Sequence, residues 1–486
     1  MSKRRLSNPD YPPAKTRRIT SAEEDVDYEL NRANLTDVVP VYEGEYAKLS
    51  RTKRAEAINK VKKDRAKKRE EELRKQVEQA RKQPKLVANT VDKAFTIAFI
   101  QMGQGDCFVI FTPGGKIIMI DCGSTASDED RAGQTFKTSV DDTWSEKDDL
   151  EKAVIPLLPE MDVRQRVKAL LGTKNKIDYL ILTHYDRDHY NQLEEVLGNN
   201  MKFGEVYHSG TLAQYSVNKT AAYIRSHAEN ADKILRVIHN DPESKKIKLK
   251  PEKGNALEMD QEPNRGYLLL DEANCKIWFL ASDVTFDSVS GLENPVTFDD
   301  STDANRGSLV TLVEAFGKKI LICGDATIVT EQYLLATSKE AFKDLDILQV
   351  PHHGTRLTSS SQDFVDHTNP RFVAVSSARK DQQHHLPQQA TLRKYFLNMK
   401  ASKRPLEAKD FEILYWMLGR RGAPIHCWST LRRAIYITGS QGSFGWTIYR
   451  TGGDVKMEYG LLTGPKDETK ITTSTEPQKM DSGGSI

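Results

Sequence analysis

Cysteine is scarce in this chain of 486 residues: Cys107, Cys122, Cys275, Cys323 and Cys427 are scattered and form no CxxC pair. Neither a thiolate zinc knuckle nor a disulfide framework is therefore expected. Cys122 and Cys323 lie beside apolar runs, where a thiol packs as a small hydrophobe. Long apolar stretches are missing too; none approaches the ~18 consecutive residues that a membrane span needs. The opening MSKRRLSNPDYPP carries charge but no apolar core, so a secretory signal is not expected. Net charge is nearly absent, because 71 Lys plus Arg against 69 Asp plus Glu leave +2. Hydrophobic residues reach only 38% while charged ones reach 29%, so a folded core must coexist with polar segments outside it. These absences predict a soluble intracellular protein with no membrane partner; the basic clusters near its N-terminus add the nucleus as the expected compartment in a eukaryote, against the cytoplasm in a bacterium.

The neutral total conceals an asymmetry. Between Lys48 and Lys85 stand 16 Lys/Arg and 6 Asp/Glu, a net of +10. The segment is rich in helix formers, free of Gly and of Pro before Pro84, and too poor in apolar residues to dock on a core. It predicts a solvated basic helix or linker over 48–92. That helix is either a charged spacer or a grip on nucleic acid, centred on Lys62, Lys63, Arg65, Lys67, Lys68 and Arg69. Residues 1–47 read as a disordered tail, basic and then acidic. Within it Lys3-Arg4-Arg5 and Lys15, Arg17 and Arg18, nine residues further on, resemble a bipartite nuclear-import signal.

From residue 93 the texture changes to short apolar runs bounded by Gly, Asp or Asn, such as KIIMIDCG, KIDYLILTH, KKILICGD and LDILQVPHHG, which read as buried strands. Helical stretches at 190–198 and 328–342 alternate with them, and the combination predicts an α/β sandwich with sheets inside and helices outside, over 93–400. Two polar stretches, 124–150 and 210–262, read as insertions, the second with a helix near 219–232. Beyond 400, PLEAKDFEILYWMLG suggests a helix, and RRAIYITGS with GWTIYRTGG a hairpin, so 401–463 is expected to complete or cap the domain. Residues 464–486 read as a disordered polar tail.

Chemistry concentrates in LILTHYDRDHYNQL. A strand runs into His184, Asp186, Asp188 and His189, four possible metal ligands at the carboxyl end of a strand, where ligands bind in α/β sheets. Imidazole and carboxylate without sulfur suit zinc or, with more oxygen, manganese. Asp121, Asp325, His352 and His353 also end apolar runs. His384 and His385 in KDQQHHLPQQA offer further ligand or acid/base groups.

HxDxDH resembles the HxHxDH signature of the metallo-β-lactamase fold, a four-layer αββα sandwich. MGQGDCFVIFTPGGKIIMIDCGS, LTHYDRDH, NRGSLVTLVEAFGKKILICGDA and LQVPHHGT stand in the order found in the hydrolase domain of the competence protein ComEC and its soluble relatives. The resemblance spans about 95–390. It implies that His184 and Asp186 hold a first metal, that Asp188 and His189 hold a second, and that Asp325 bridges both. His352 would complete the shell of the second metal, with its neighbour His353 as the alternative ligand, His208 would be a further ligand, and Asp121 would support the site from behind. His385 occupies the place of a late His-Pro element, here His-Leu-Pro.

Two divalent cations, Zn or Mn, can ready a water molecule for attack on a phosphoryl or carbonyl group. Asp188 is then expected to accept a proton as well as to bind metal, with Thr355 and the GQGD turn (103–106) donating to the substrate. The expected activity is that of a metal-dependent phosphodiesterase or nuclease, since the resemblance implies action on DNA and the basic segment would add affinity for it. The alternatives are hydrolysis of a small ester, thioester or lactam, and a non-catalytic nucleic-acid-binding scaffold.

Overall fold

The computed structural model describes residues 85–87, 93–124, 135–139, 150–154, 163–239, 246–260, 264–378, 384–402, 411–418, 424–431, 434–462 and 470–473. All fall within the unit Glu70–Ile486. The predicted tail, the basic helix with Lys62, Lys63, Arg65, Lys67, Lys68 and Arg69, and most of 124–150 lie outside the described residues.

The apolar runs form two large sheets. In the first, Phe95–Phe99, Phe108–Phe111 and Ile117–Ile120 pair antiparallel, then Ile117–Ile120, Lys176–Leu182, Lys202–His208 and Ile234–Ile238 run parallel. In the second, Cys275–Ala281, Val310–Ala315 and Lys318–Ile322 are antiparallel, and Lys318–Ile322, Ile347–Gln349, Phe372–Val375 and Ile435–Ile437 are parallel. Alternating side chains explain the layering, because successive residues of a strand face opposite sides. Ile118, Ile120, Ile320 and Ile322 meet in the core between the sheets. Ile117 and Met119 face outward onto Val167, Leu193 and Ile224, from helices Val163–Leu171, Leu193–Leu197 and Thr220–His227. Leu321 and Cys323 face outward onto Tyr333, Phe364 and Tyr395, from helices Ile328–Thr337, Gln362–Thr368 and Gln389–Ala401. Strands buried on both faces read as continuous apolar runs, and the result is the expected αββα sandwich.

Trp446 ties the sheets together. Its ring lies 5.6 Å from Phe99 in the first sheet, and 5.8 Å from Phe372 and 5.1 Å from Tyr436 in the second. Trp446→Ala is expected to cost about 3–5 kcal/mol of stability, read as a lower urea midpoint.

Several boundaries differ from the expectation. The stretch 210–262, expected as an insertion, is built of regular elements among its described residues. After the helix Thr220–His227 it supplies Ile234–Ile238, Lys246–Pro251 and Leu257–Asp260, which extend the first sheet. FEILYWML is a strand, Phe411–Leu418, because its aromatic and branched residues pair with Pro424–Leu431. Those two strands form a four-stranded sheet with Thr135–Ser139 and Leu150–Val154. The expected hairpin is split between sheets: Ile435–Ile437 joins the second, whereas Phe444–Thr451 joins the first beside Phe95–Phe99 and turns back with Asp454–Leu462. Within the expected tail, Lys470–Thr473 pairs as a strand.

Candidate metal centre

Parallel strands end on the same side, so the residues that follow them gather at one edge of the sandwich. Asp121 follows Ile117–Ile120, His184 follows Lys176–Leu182, Asp325 follows Lys318–Ile322, and the PHHG turn follows Ile347–Gln349. Tight packing locks these segments. Cys122 N–H donates to the His189 carbonyl (2.8 Å) and Asp106 N–H to the Asp188 carbonyl (3.2 Å). A Cβ at Gly123 would fall 2.4 Å from backbone atoms of Asp188 and Tyr190, so only glycine lets the two loops approach. Asp121, His352 and His353 all hold left-handed backbone (φ 55°, 51° and 52°), a conformation that costs on the order of 1–3 kcal/mol each and persists where the surroundings enforce it.

Asp325 is the centre of the cluster, and its two oxygens face different partners. Oδ1 lies 3.4 Å from Nε2 of His189 and 3.5 Å from Nε2 of His353, which is itself 3.5 Å from Oδ2 of Asp188. Oδ2 lies 4.0 Å from Nε2 of His184 and 3.7 Å from Nε2 of His352, with Oδ2 of Asp186 3.9 Å from the His184 nitrogen. The carboxylate thus divides the cluster into an inner half (Asp188, His189, His353) and an outer half (His184, Asp186, His352). The outer half is the open one: the side chains of Asp186 and His352 are 37% and 19% exposed, against 1% for His353.

Hydrogen bonds behind the cluster set the imidazole tautomers. Thr183 donates to Asp121 from its backbone N–H (2.8 Å to Oδ1) and from its hydroxyl (2.6 Å to Oδ2). His189 Nδ1–H donates to Oδ2 of Asp121 (2.8 Å), and His184 Nδ1–H donates to Oγ1 of Thr183 (3.0 Å). His353 Nδ1–H donates to the Ser376 carbonyl (3.1 Å). In all three rings it is Nε2 that is left facing Asp325, the usual arrangement behind a ligating imidazole. Thr183→Val, which removes the hydroxyl that serves both His184 and Asp121, should weaken divalent-cation affinity about 10- to 100-fold while the fold persists, read by calorimetric titration.

Five buried atoms in this cluster have no hydrogen-bond partner: Nε2 of His184, His189 and His353, and Oδ1 of Asp106 and Asp325. An unpaired buried polar atom costs about 1–3 kcal/mol, and five converging on one spot fit a site whose partners are cations. The all-nitrogen and oxygen donor set suits divalent zinc or manganese. Among the described residues, four groups of three side chains each bring ligand atoms within 4.8 Å of one another: His184, His189 and Asp325; Asp188, His189 and His353; Asp106, Asp121 and His189; and Asp106, Asp325 and His353.

Charges follow the same division. Burial would raise Asp325 and Asp188, but neighbouring imidazoles overrule it, led at both groups by His353; Asp325 is held well below its usual range and Asp188 at about 2. Burial would lower His353 and His189, yet the carboxylates prevail, raising His353 to about 9 and His189 well above 6.5. His184 and His352 are pushed down by burial and are neutral at pH 7. Burial raises Asp106 and Asp186 to about 6.

Without cations, then, the inner half holds protons at pH 7 that a ligating nitrogen must lose. Raising the pH towards 9 frees Nε2 of His353, so cation affinity of the inner half should rise by up to about tenfold per pH unit for each proton released. Proton release on adding Mn²⁺ to weakly buffered protein at pH 7 measures it. The same pairing stabilises the cation-free fold fully below pH 6.5, the unfolded value, and that contribution is lost as pH rises through about 9.

Of the residues expected from sequence, His184, Asp186, Asp188, His189, Asp325, His352 and His353 meet, with Asp121 behind them. His352 lies on the outer side, not in the inner shell where it was expected, and its Nε2 accepts from Asn305 Nδ2 (3.1 Å). His353 takes the inner position. His208 is not brought to the cluster: its ring packs against Tyr215 and its Nδ1 lies 3.3 Å from the Ser209 carbonyl. His385 stacks edge-on against Trp416 and belongs to none of the ligand groups among the described residues. Asp188 is brought to the inner half, where its Oδ2 lies 3.5 Å from Nε2 of His353 and the neighbouring imidazoles hold its carboxyl below the usual range. Sequence reading missed Asp106 as a ligand candidate. The GQGD turn is buried, and the Asp106 oxygens lie 3.8 Å and 3.9 Å from Nδ1 of His189 and His353.

Residues 100–201, which hold Asp106, Asp121 and the HxDxDH turn, match the family model described as the metallo-beta-lactamase superfamily. The chain thus carries a metallo-beta-lactamase-type domain, with the family match confined to residues 100–201 and a cluster of possible metal ligands gathered at its site. It is 25% identical over 303 residues to ComE operon protein 3 of Bacillus subtilis (strain 168), an alignment covering 61% of this chain and 30% of the relative's length. Among solved structures it resembles a protein from Parabacteroides distasonis ATCC 8503 described as a metal-dependent hydrolase (14% identity, 65% of this chain and 95% of that one, TM-score 0.30). It also resembles CmlA, a diiron beta-hydroxylase from Streptomyces venezuelae (14% identity, 62% and 47%, TM-score 0.28). No helix among the described residues is long and apolar enough to cross a membrane.

Proposed function

We propose that the domain hydrolyses phosphodiesters, as a nuclease, with two divalent cations, Zn or Mn. His184, Asp186 and Oδ2 of Asp325 would hold one; Asp188, His189, His353 and Oδ1 of Asp325 would hold the other. The observation that carries this reading is the two-faced placement of Asp325 among buried nitrogens that have no other partner. When bound, such a pair supplies Lewis acidity that brings the pKa of a water molecule towards neutrality and stabilises charge developing on the attacked group. The chain's own residues do the rest. Asp121 and Thr183 hold the rings of His184 and His189 in register. Thr302 orients Asp186, with its hydroxyl 3.4 Å from Oδ2. His352, on the open side, would accept a proton at Nε2 once the Asn305 amide yields; its Nδ1–H is fixed by Thr358 (2.8 Å). The preference for phosphodiesters is supported by the +10 segment 48–85, suited to a polyanion.

Labelled single- and double-stranded DNA and RNA, incubated with the protein and Mn²⁺ or Zn²⁺, test the reading. Cleavage by wild type and none by Asp325→Asn is expected. Turnover of simple carboxylic esters with nucleic acids left intact would replace the substrate class. Protein that binds polyanions but no cation would leave a scaffold.

A further inference from the structure

Two exposed apolar side chains stand close in sequence to residues that contact the open half of the centre. Phe298 is 76% exposed and Leu357 60% exposed, whereas most large apolar side chains of the described residues are buried. Each is tied by a short stretch of chain to a residue that hydrogen-bonds a cluster member. Leu357 adjoins Thr358, which holds His352. Phe298 lies four residues before Thr302, which contacts Asp186, and so within about 14 Å of it along the backbone. Both tethers lead to the outer half, the side with exposed edges.

The Phe298 segment is pinned on either side of the ring. Val296 N–H donates to Oε1 of Gln332 (2.8 Å), and Asp299 accepts from Arg306 Nη1 (2.5 Å). Arg306 is itself fixed by the Ser301 carbonyl (3.0 Å) and by the Phe286 ring, 4.4 Å beneath its guanidinium. An aromatic ring left in water on an ordered segment is a preorganised contact surface, since little entropy is lost when something lies on it. Its surroundings discriminate among occupants. Asp299 and Asp303 are paired with Arg306, so the exposed Asp300, two residues beyond the ring in sequence, is the charge that disfavours an anionic phosphate there more than an uncharged planar ring. On the other tether Arg356, exposed and without a carboxylate partner among the described residues, suits a phosphate.

We propose that Phe298 is a nucleobase subsite: it stacks a base of the nucleotide next to the scissile phosphodiester, while Leu357 borders that nucleotide and Arg356 takes the adjoining phosphate. This rests on the phosphodiesterase reading above and narrows its substrate to nucleotides. Stacking on an aromatic ring tolerates any base, so the subsite confers preference for nucleic acid without sequence specificity.

Two esters with the same leaving group test it in the Mn²⁺-loaded full-length protein: thymidine 5′-(p-nitrophenyl phosphate), which carries a base, and methyl p-nitrophenyl phosphate, which does not. In wild type KM should be lower for the thymidine ester. In Phe298→Ala the ratio of the two KM values should fall roughly 5- to 100-fold, with kcat for the thymidine ester little changed, and Phe298→Trp should restore the ratio. An unchanged ratio in Phe298→Ala, in a protein that hydrolyses both esters, would overturn the subsite and leave the phosphodiesterase reading standing. Hydrolysis of neither ester by wild type would overturn that reading and the subsite with it.

Discussion

Asp325→Asn is expected to lose both cations and to lower hydrolysis by about a thousandfold or more. The amide keeps the shape of the side chain but removes the charge that faces two sets of nitrogens (3.4 Å and 3.5 Å from Oδ1, 4.0 Å and 3.7 Å from Oδ2). Lewis-acid stabilisation contributes several kcal/mol, and each 1.4 kcal/mol is about tenfold in rate, so its loss alone reaches that size. The fold should survive, because Asp325 stands outside the apolar layers, although cation-free protein will be less stable where His189 and His353 lose their counter-charge. Metal content measured beside residual activity separates this from unfolding: folded protein with fewer than one cation per chain is the expected product.

The second large effect separates the neighbouring histidines of the PHHG turn. His353 is buried and its Nε2 has no hydrogen-bond partner, while its Nδ1–H is held by Ser376. His352 is partly exposed, with Nε2 engaged by Asn305. His353→Ala should therefore empty the inner half, leaving at most one cation per chain and activity lower by about a hundredfold or more. His352→Ala should keep two cations and lower kcat by roughly 10²-fold or more, the size of a lost proton-transfer group. Equal loss of metal in both variants would contradict the assignment of the two halves.

How much of this was legible beforehand follows from what each residue's role depends on. Asp121, His184, Asp325 and the PHHG pair each close an apolar run, and in an α/β sandwich such positions converge at the carboxyl ends of parallel strands. The sandwich itself was legible because strands buried on both faces are apolar throughout. Which histidine of the pair points inward was not legible. It depends on two consecutive left-handed residues, His352 and His353, and on Ser376, which follows the neighbouring strand Phe372–Val375. Asp106 reads as a turn residue in GQGDC; only the backbone clasp between this loop and Asp188 shows that its carboxylate is driven under the cluster. The signal available was its place immediately before the buried run CFVIF. His208 misled for the opposite reason: it ends a parallel strand like the others, but Tyr215 and the Ser209 carbonyl occupy it. The helix expected over PLEAKDFEILYWMLG took its cue from the charged first half, while cross-strand pairing with Pro424–Leu431 decides the second.

Crystals grown with Mn²⁺ and measured at an anomalous wavelength put the central claim to its most direct test, because the peaks count the cations and place them. Two peaks about 3.5–4 Å apart are expected, one beside Oδ1 of Asp325 among Asp188, His189 and His353, the other beside Oδ2 with His184 and Asp186. A single peak, or peaks that do not share Asp325, would contradict it.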